Sequence, residues 1–195
     1  MNGFTKARRG VCMFRLGAEK QLKGRFEVPK IIENVREQLL AEAKKQIFEN
    51  GYAATTVRSV AGACGLGVGT VYNYFRSKEM LVATFVYEDW KKYLFEMQGL
   101  PKNDSRALFG GIYLLLRRFA SENEQLFSDK EAAKLISGAS TQRHKLLRDQ
   151  IAELVLPVCN GVGFTADFIA EALISWSVEK ADFEAVYPLL EKMIK

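Results

Sequence analysis

Residues 70–74 carry side chains suited to contacting base pairs and phosphates. Thr70 offers a hydroxyl to a base edge and a methyl group to a thymine methyl, and Asn73 can pair with adenine through two hydrogen bonds. Tyr72 and Tyr74 can each reach a phosphate oxygen with the phenol hydroxyl. These residue types favour binding of duplex DNA over catalysis, although burial of either tyrosine in a core is an alternative reading.

Such side chains need a short helix with one outward face, and the flanking sequence predicts it. The helix is expected to begin near Val68, with Val71 and Phe75 facing the core because they lie four residues apart. A preceding two-turn helix is capped by a threonine of the Thr55-Thr56 pair and stopped by Gly65. Two short helices joined by a glycine-containing turn form a helix-turn-helix, whose second helix enters the major groove.

The rest of the chain also has helical periodicity and no alternating strand pattern, so we predict an all-α fold. Further helices are expected at about 31–50, 78–97, 105–122, 128–137, 141–155, 165–179 and 182–195. Ser77, Ser128, Thr165 and Asp182 are the predicted caps of four of them. The clearest break is the segment 99–105, which contains glycine, proline and asparagine. We therefore predict an N-terminal three-helix helix-turn-helix domain at 30–97 and a C-terminal helical domain at 98–195.

Positive charge is concentrated at the start of the chain. Residues 1–30 hold eight Lys or Arg against two Glu, whereas all 195 residues together carry a net charge of +5. We predict that residues 1–29 form a basic, mobile arm that strengthens nucleic-acid binding through counterion release. A tail with no role is the alternative.

Composition excludes several classes of protein. No apolar run is long enough for a membrane span, and the N-terminus lacks the features of a secretory signal. Three widely separated cysteines (Cys12, Cys64 and Cys159) favour a reducing, cytoplasmic setting. A single histidine and the lack of a recognisable nucleophile-base set predict no enzyme activity, no catalytic residue, no metal site and no cofactor.

The segment from Phe48 to Leu81 resembles the N-terminal domain of the TetR family of bacterial transcriptional regulators (the TetR/AcrR type). Four pieces carry the resemblance in order and spacing, namely Phe48–Tyr52, Thr55–Ala61, Gly69–Phe75 and Ser77–Glu79. With the first helix, the resemblance covers about a third of the chain. It implies a dimeric, DNA-binding regulator, and we expect a repressor that a small-molecule effector releases from double-stranded operator DNA.

The resemblance also implies roles for flanking residues. Arg58 corresponds to a position from which the second helix reaches bases or phosphates, and Lys78 to a phosphate-binding lysine. The complete predicted DNA-binding set is Thr56, Arg58, Thr70, Tyr72, Asn73, Tyr74 and Lys78. Two positions depart from the family pattern, because Gly67 replaces a capping Ser or Thr and Val68 replaces a polar or basic residue.

The resemblance implies less about the C-terminal domain. The last two helices are the expected surface of a homodimer, in which they pack as a four-helix bundle, and ordinary core packing is the alternative. The predicted apolar stripe on them consists of Phe168, Leu173, Trp176, Val186, Tyr187, Leu190 and Ile194. The predicted lining of the effector pocket is Phe109, Tyr113, Phe119 and Trp176, and ordinary core packing is the alternative for each.

Two other functions compete with DNA binding. A nucleotide-binding enzyme is disfavoured because the glycines of Gly65–Gly69 match no phosphate-loop spacing and follow a helix instead of a strand. A helical protein-interaction module that has lost specific DNA binding is the stronger rival. The balanced charge of residues 31–98, with eight basic and eight acidic side chains, favours it.

Overall fold

The computed structural model describes residues 34–130, 132 and 140–195. Within these ranges every regular element is helical, which confirms the predicted all-α class. The predicted arm, residues 1–29, lies outside the described residues. In the part that is described, no helix is both long and apolar enough to cross a bilayer.

Nine α-helices and one 3-10 helix make up the described fold. The α-helices are α1 Val35–Asn50, α2 Val57–Ala63, α3 Val68–Tyr74, α4 Lys78–Gln98, α5 Ser105–Glu122, α6 Glu124–Ser128, α7 Ser140–Val155, α8 Gly163–Val178 and α9 Phe183–Ile194. The 3-10 helix, Leu156–Cys159, follows α7 directly and was not predicted.

Side-chain caps fix the start of four helices. The hydroxyls of Thr56 and Ser77 accept backbone N–H groups at the starts of α2 and α4. The carboxylates of Asp104 and Asp182 do the same for α5 and α9. Each cap satisfies an N–H group that would otherwise have no partner in the first helical turn. The caps at Ser77 and Asp182 confirm the sequence prediction, and Thr56 is the threonine that caps α2.

Two other predicted caps are wrong. Ser128 ends α6 instead of starting a helix, and the carboxylate of the next residue, Asp129, accepts the N–H of Ala132 at 3.0 Å. Thr165 lies inside α8, which starts two residues earlier, at Gly163. A serine or threonine alone does not determine where a helix begins, because neighbouring side chains compete to accept the same backbone N–H groups.

The helices enclose two apolar cores. The N-terminal core joins α1 to the first half of α4 and includes Leu39, Ile47, Val60, Val71, Phe75, Leu81 and Phe85. The C-terminal core joins the second half of α4 to α5, α7, α8 and α9 and includes Met97, Phe109, Ile112, Ile151, Ile169 and Leu173. Helix α4 therefore contributes buried side chains to both cores, and Val86 on α4 packs against each of them.

A buried carboxylate links α1 to α4. Asp89 on α4 accepts a hydrogen bond from Lys44 on α1 and another from Lys92 at 2.9 Å. A second α1–α4 ion pair joins Arg36 to Glu88 at 2.6 Å. Burial raises the pKa of the Asp89 carboxyl, but the hydrogen bonds from the two lysines outweigh burial and hold its pKa below the ordinary value.

We expect Asp89→Asn to lower the free energy of unfolding by about 1–3 kcal/mol, because the amide leaves Lys44 without a charged partner. A carboxyl whose pKa is lowered on folding stabilises the fold above its unfolded pKa, about 3.9. That stabilisation is lost as the pH falls through the lower folded value. Urea melts should show that the difference in free energy of unfolding between the unaltered protein and Asp89→Asn is constant at pH 5–7. That difference should shrink below about pH 4. A difference that grows on acidification would contradict the assignment.

Candidate nucleic-acid interface

The start of α2 is locked by a reciprocal pair of hydrogen bonds. The Thr56 hydroxyl accepts the N–H of Ser59 at 3.0 Å, and the Ser59 hydroxyl accepts the N–H of Thr56 at the same distance. The Ser59 hydroxyl also lies 2.6 Å from Gln46 Oε1 on α1, which in turn ties α2 to the first helix. Thr56 is exposed, and its side-chain oxygen already accepts a hydrogen bond in the cap. The structure therefore gives Thr56 a structural role at the start of α2.

The turn between α2 and α3 depends on one glycine. Gly65 has φ +67, a left-handed conformation that side chains with a Cβ rarely adopt. The turn closes with a backbone hydrogen bond of 2.8 Å from Leu66 N–H to the carbonyl of Ala61. Leu66 and Val68 then pack partly against the N-terminal core. Val68 is only half-buried, and its remaining surface lines a depression beside Arg58 and Tyr72.

Helix α3 is held by its inner face and leaves its outer face open. Val71 and Phe75 are buried in the N-terminal core, as predicted. Tyr72 and Tyr74 are 50% and 46% exposed, so neither is a core aromatic. Asn73 is also exposed, and Thr70, one turn before Tyr74, is half-buried. The four predicted α3 side chains therefore have at least part of their surface available to a ligand.

Lys78, at the start of α4, is held against the loop between α1 and α2. Its ammonium donates to the Tyr52 carbonyl at 2.9 Å and lies 3.7 Å from the centroid of the Tyr52 ring. The Tyr52 hydroxyl donates to Glu79 at 3.3 Å. Hydrogen bonding by Ser77, by the Glu79 backbone and by Tyr52 lowers the Glu79 pKa, together with the charge of Lys78. This contact with Tyr52 was missed, because residues 26 apart in sequence give no periodic signal.

A surface depression of about 370 Å³ brings four of the predicted residues together. Thr56 and Arg58 line it from α2, Tyr72 from α3 and Lys78 from α4. Thr70, Asn73 and Tyr74 do not line it. Two cations beside a phenol hydroxyl suit an anionic oxygen such as a phosphate. The depression and the open face of α3 together form what we call the α3 surface, defined by Arg58, Thr70, Tyr72, Asn73, Tyr74 and Lys78.

The predicted effector-pocket residues do not come together in one cavity. A cavity of about 530 Å³ lies between α4, α5, α6 and α7, and Phe119 lines it. Phe109 and Tyr113 are fully buried in the C-terminal core instead, and the Tyr113 hydroxyl donates to the carbonyl of Ala181. Trp176 packs partly against the same core. Among the described residues, none of these three lines the cavity.

The comparisons with known proteins agree with this geometry in the N-terminal part. Residues 39–84 match the family model described as bacterial regulatory proteins, tetR family. A 60-residue segment is 38% identical to the HTH-type transcriptional repressor KstR2 of Mycolicibacterium smegmatis, covering 31% of this chain and 29% of that protein. A 59-residue segment is 29% identical to the regulator UidR of Escherichia coli, covering 30% of each. The matched segment thus spans about a third of these relatives' length.

Solved structures extend the likeness of fold to most of the chain. A TetR-family regulator from Pectobacterium atrosepticum aligns over 82% of this chain and 88% of its own, with 20% identity and a TM-score of 0.57. Another from Haemophilus influenzae aligns over 82% and 93%, with 11% identity and a TM-score of 0.53. At these identities the structures establish the fold alone. Residues 39–84 are therefore similar to the N-terminal part of bacterial regulatory proteins of the tetR family, and the described fold is similar to that of TetR-family structures.

Proposed function

We propose that this protein is a transcriptional repressor that binds double-stranded operator DNA as a homodimer and is released by a small-molecule effector. The observation that carries DNA binding is the outward face of α3, where Tyr72, Asn73 and Tyr74 are exposed on a helix anchored from behind by Val71 and Phe75. A helix of this size fits the major groove. The repressor role is supported by the name of the relative KstR2.

The exposed apolar surface of α8 and α9 supports a homodimer. Phe164, Phe168 and Val178 on α8 and Leu189 and Met193 on α9 are all exposed to solvent. Several large apolar side chains exposed on the same two helices are unfavourable in water and typical of a protein interface. Most of the stripe that we predicted packs inside the chain instead, because Leu173, Val186, Tyr187 and Leu190 are buried there. Phe168 is the stripe residue that faces outward. A two-fold dimer would place two α3 helices in successive major grooves, about 34–36 Å apart.

The two faces of α4 support control by an effector. Met80, Thr84 and Tyr87 lie on one face, at spacings of four and three residues, and line the 530 Å³ cavity. Leu81 and Phe85 lie on the face that packs in the N-terminal core behind α3. A molecule bound in the cavity would contact the helix that supports the α3 surface. It would act through its different affinities for the DNA-bound and free conformations.

The proposed organisation is a DNA-binding domain at 30–97, an effector-binding and dimerisation domain at 98–195, and a basic arm at 1–29. Fluorescence anisotropy with the DNA upstream of its own gene, at several salt concentrations, tests DNA binding. We expect tighter binding to the upstream duplex than to a scrambled one of equal length, and a strong salt dependence. Titrations that show no binding at low salt would refute the proposal and favour the interaction module. Removal of residues 1–29 tests the arm in the same assay.

Lys78→Ala should weaken binding to specific and scrambled duplexes alike, because a phosphate contact carries no sequence information. The slope of log K against log salt should become shallower by about one for each protomer. Lys102→Ala is the matched control, since Lys102 is exposed in the loop between α4 and α5. An unchanged slope with Lys78→Ala would remove Lys78 from the α3 surface.

A further inference from the structure

We propose that the cavity beside α4 binds an uncharged, largely apolar small molecule, which names the chemical class of the effector and so rests on the proposed function. The cavity measures about 530 Å³, within the range typical of ligand sites. Its described lining holds no charged side chain. An ion placed there would lose its hydration without gaining a charged partner, which is costly.

The polar groups of the lining are already largely satisfied. The Thr84 hydroxyl donates to the Met80 carbonyl at 2.7 Å, which leaves its oxygen as an acceptor. The indole N–H of Trp90 donates to Gln150 on α7 at 2.8 Å. Tyr87, which is exposed, adds a phenol hydroxyl to the lining. The lining therefore offers a ligand only a few hydrogen bonds, and apolar contact would supply most of the affinity.

The exposed rim of the cavity supports the same chemical class independently of its volume. Met80, Tyr87, Phe127 and Leu146 all line the cavity and are exposed to solvent. These side chains come from α4, α6 and α7, so three separate helices each place exposed apolar surface at this one cavity. Apolar exposure concentrated at the mouth of a cavity marks a binding site better than scattered surface residues do.

One nearby cation makes the charge class testable. The Lys91 ammonium lies 5.3 Å from the centroid of the Tyr87 ring, although Lys91 itself does not line the cavity. If Lys91 reached a bound ligand, an anion would be preferred. Because the cavity lining itself is apolar, we expect the opposite order.

The test compares two dyes that differ by one charged group. N-phenyl-1-naphthylamine is neutral, and 8-anilino-1-naphthalenesulfonate is the same skeleton with a sulfonate. The Trp176→Phe variant leaves Trp90, which lines the cavity, as the only tryptophan of the chain. We expect one neutral dye per chain, quenching of Trp90 fluorescence, and at least tenfold weaker binding of the sulfonate. Both dyes are also titrated into the unaltered protein, which checks that Trp176 is not required.

A filled-cavity variant locates the dye. Ala83→Phe places a ring into the cavity from α4 and should weaken binding of the neutral dye at least tenfold. Ala107→Phe, at an exposed position on α5, should change it less than twofold. Thermal melts followed by circular dichroism confirm that each variant folds. Equal or tighter binding of the sulfonate, no binding of the neutral dye, or unchanged binding by Ala83→Phe would overturn the proposal.

The dye titrations contain no DNA, so they test the cavity independently of the proposed DNA-binding function. Failure to bind any duplex would refute the proposed function and leave the dye result intact. Dye binding that fails while operator binding succeeds would refute this inference alone.

Discussion

Replacing Asn73 by alanine is expected to lower the affinity for operator DNA by about 2–6 kcal/mol per dimer. A bidentate contact between asparagine and adenine contributes about 1–3 kcal/mol of discrimination. A homodimer carries the substitution twice, once in each half-site, so the cost doubles if the two contacts are independent. Asn73 is exposed in the middle of α3, and its removal disturbs no buried side chain.

The loss should be confined to specific binding. Affinity for a scrambled duplex should change little, because Arg58, Tyr72 and Lys78 remain available to phosphates. Asn103→Ala, at an exposed loop position, is the matched control for removing an asparagine side chain. Anisotropy titrations with an operator selected from random duplexes measure both affinities at one salt concentration. An equal loss on both duplexes would make Asn73 a backbone contact, and no loss would exclude it from the interface.

The N-terminal core was largely predictable from the sequence because its signals are local. Apolar residues at three- and four-residue spacing predicted α1 and α4, and Val71 and Phe75 predicted which face of α3 is buried. The caps Thr56 and Ser77, and Asp182 in the C-terminal part, were predictable because each stands just before a periodic segment. These features need no knowledge of distant residues.

The contacts that complete the site could not be predicted in this way. Three hydrogen bonds join residues 13 to 45 positions apart in the sequence. They are Lys78 to Tyr52, Ser59 to Gln46, and Lys44 to Asp89. Such pairings follow from how helices pack, and a single sequence does not show helix packing. The aromatic residues of α5 illustrate the same limit. The sequence predicts Phe109, Tyr113 and Phe119 alike as pocket residues, but only the fold separates the cavity residue Phe119 from the other two.

Replacing Phe168 by arginine is expected to convert the proposed dimer into monomers and to lower operator affinity at least about a hundredfold, roughly 2.7 kcal/mol. Phe168 is 48% exposed on α8, four residues after the exposed Phe164 on the same helix. Burying an unpaired guanidinium in an apolar interface is strongly unfavourable. In a two-fold interface the change occurs on both chains, so two like charges are buried together.

Operator affinity should fall when dimerisation is lost, because a monomer contacts only one half-site. Joining two recognition helices makes the second contact intramolecular, and that gain is lost when the chains separate. Phe95→Arg is the matched control, because Phe95 on α4 is 76% exposed and lies outside α8 and α9. Sedimentation equilibrium should give the 22.0 kDa monomer for Phe168→Arg and twice that mass for Phe95→Arg and the unaltered protein.

The possible outcomes distinguish a role of the α8–α9 surface in dimerisation from the role of the α3 surface in DNA binding. A Phe168→Arg protein that remains dimeric would place the interface elsewhere, whatever happens to DNA binding. A monomer that keeps full operator affinity would refute the two-fold reading of DNA while leaving α3 as the recognition helix. Monomers with weakened operator binding but unchanged affinity for the neutral dye would separate dimerisation from the cavity. We expect this last combination, because Phe168 does not line the cavity and its side chain points to solvent.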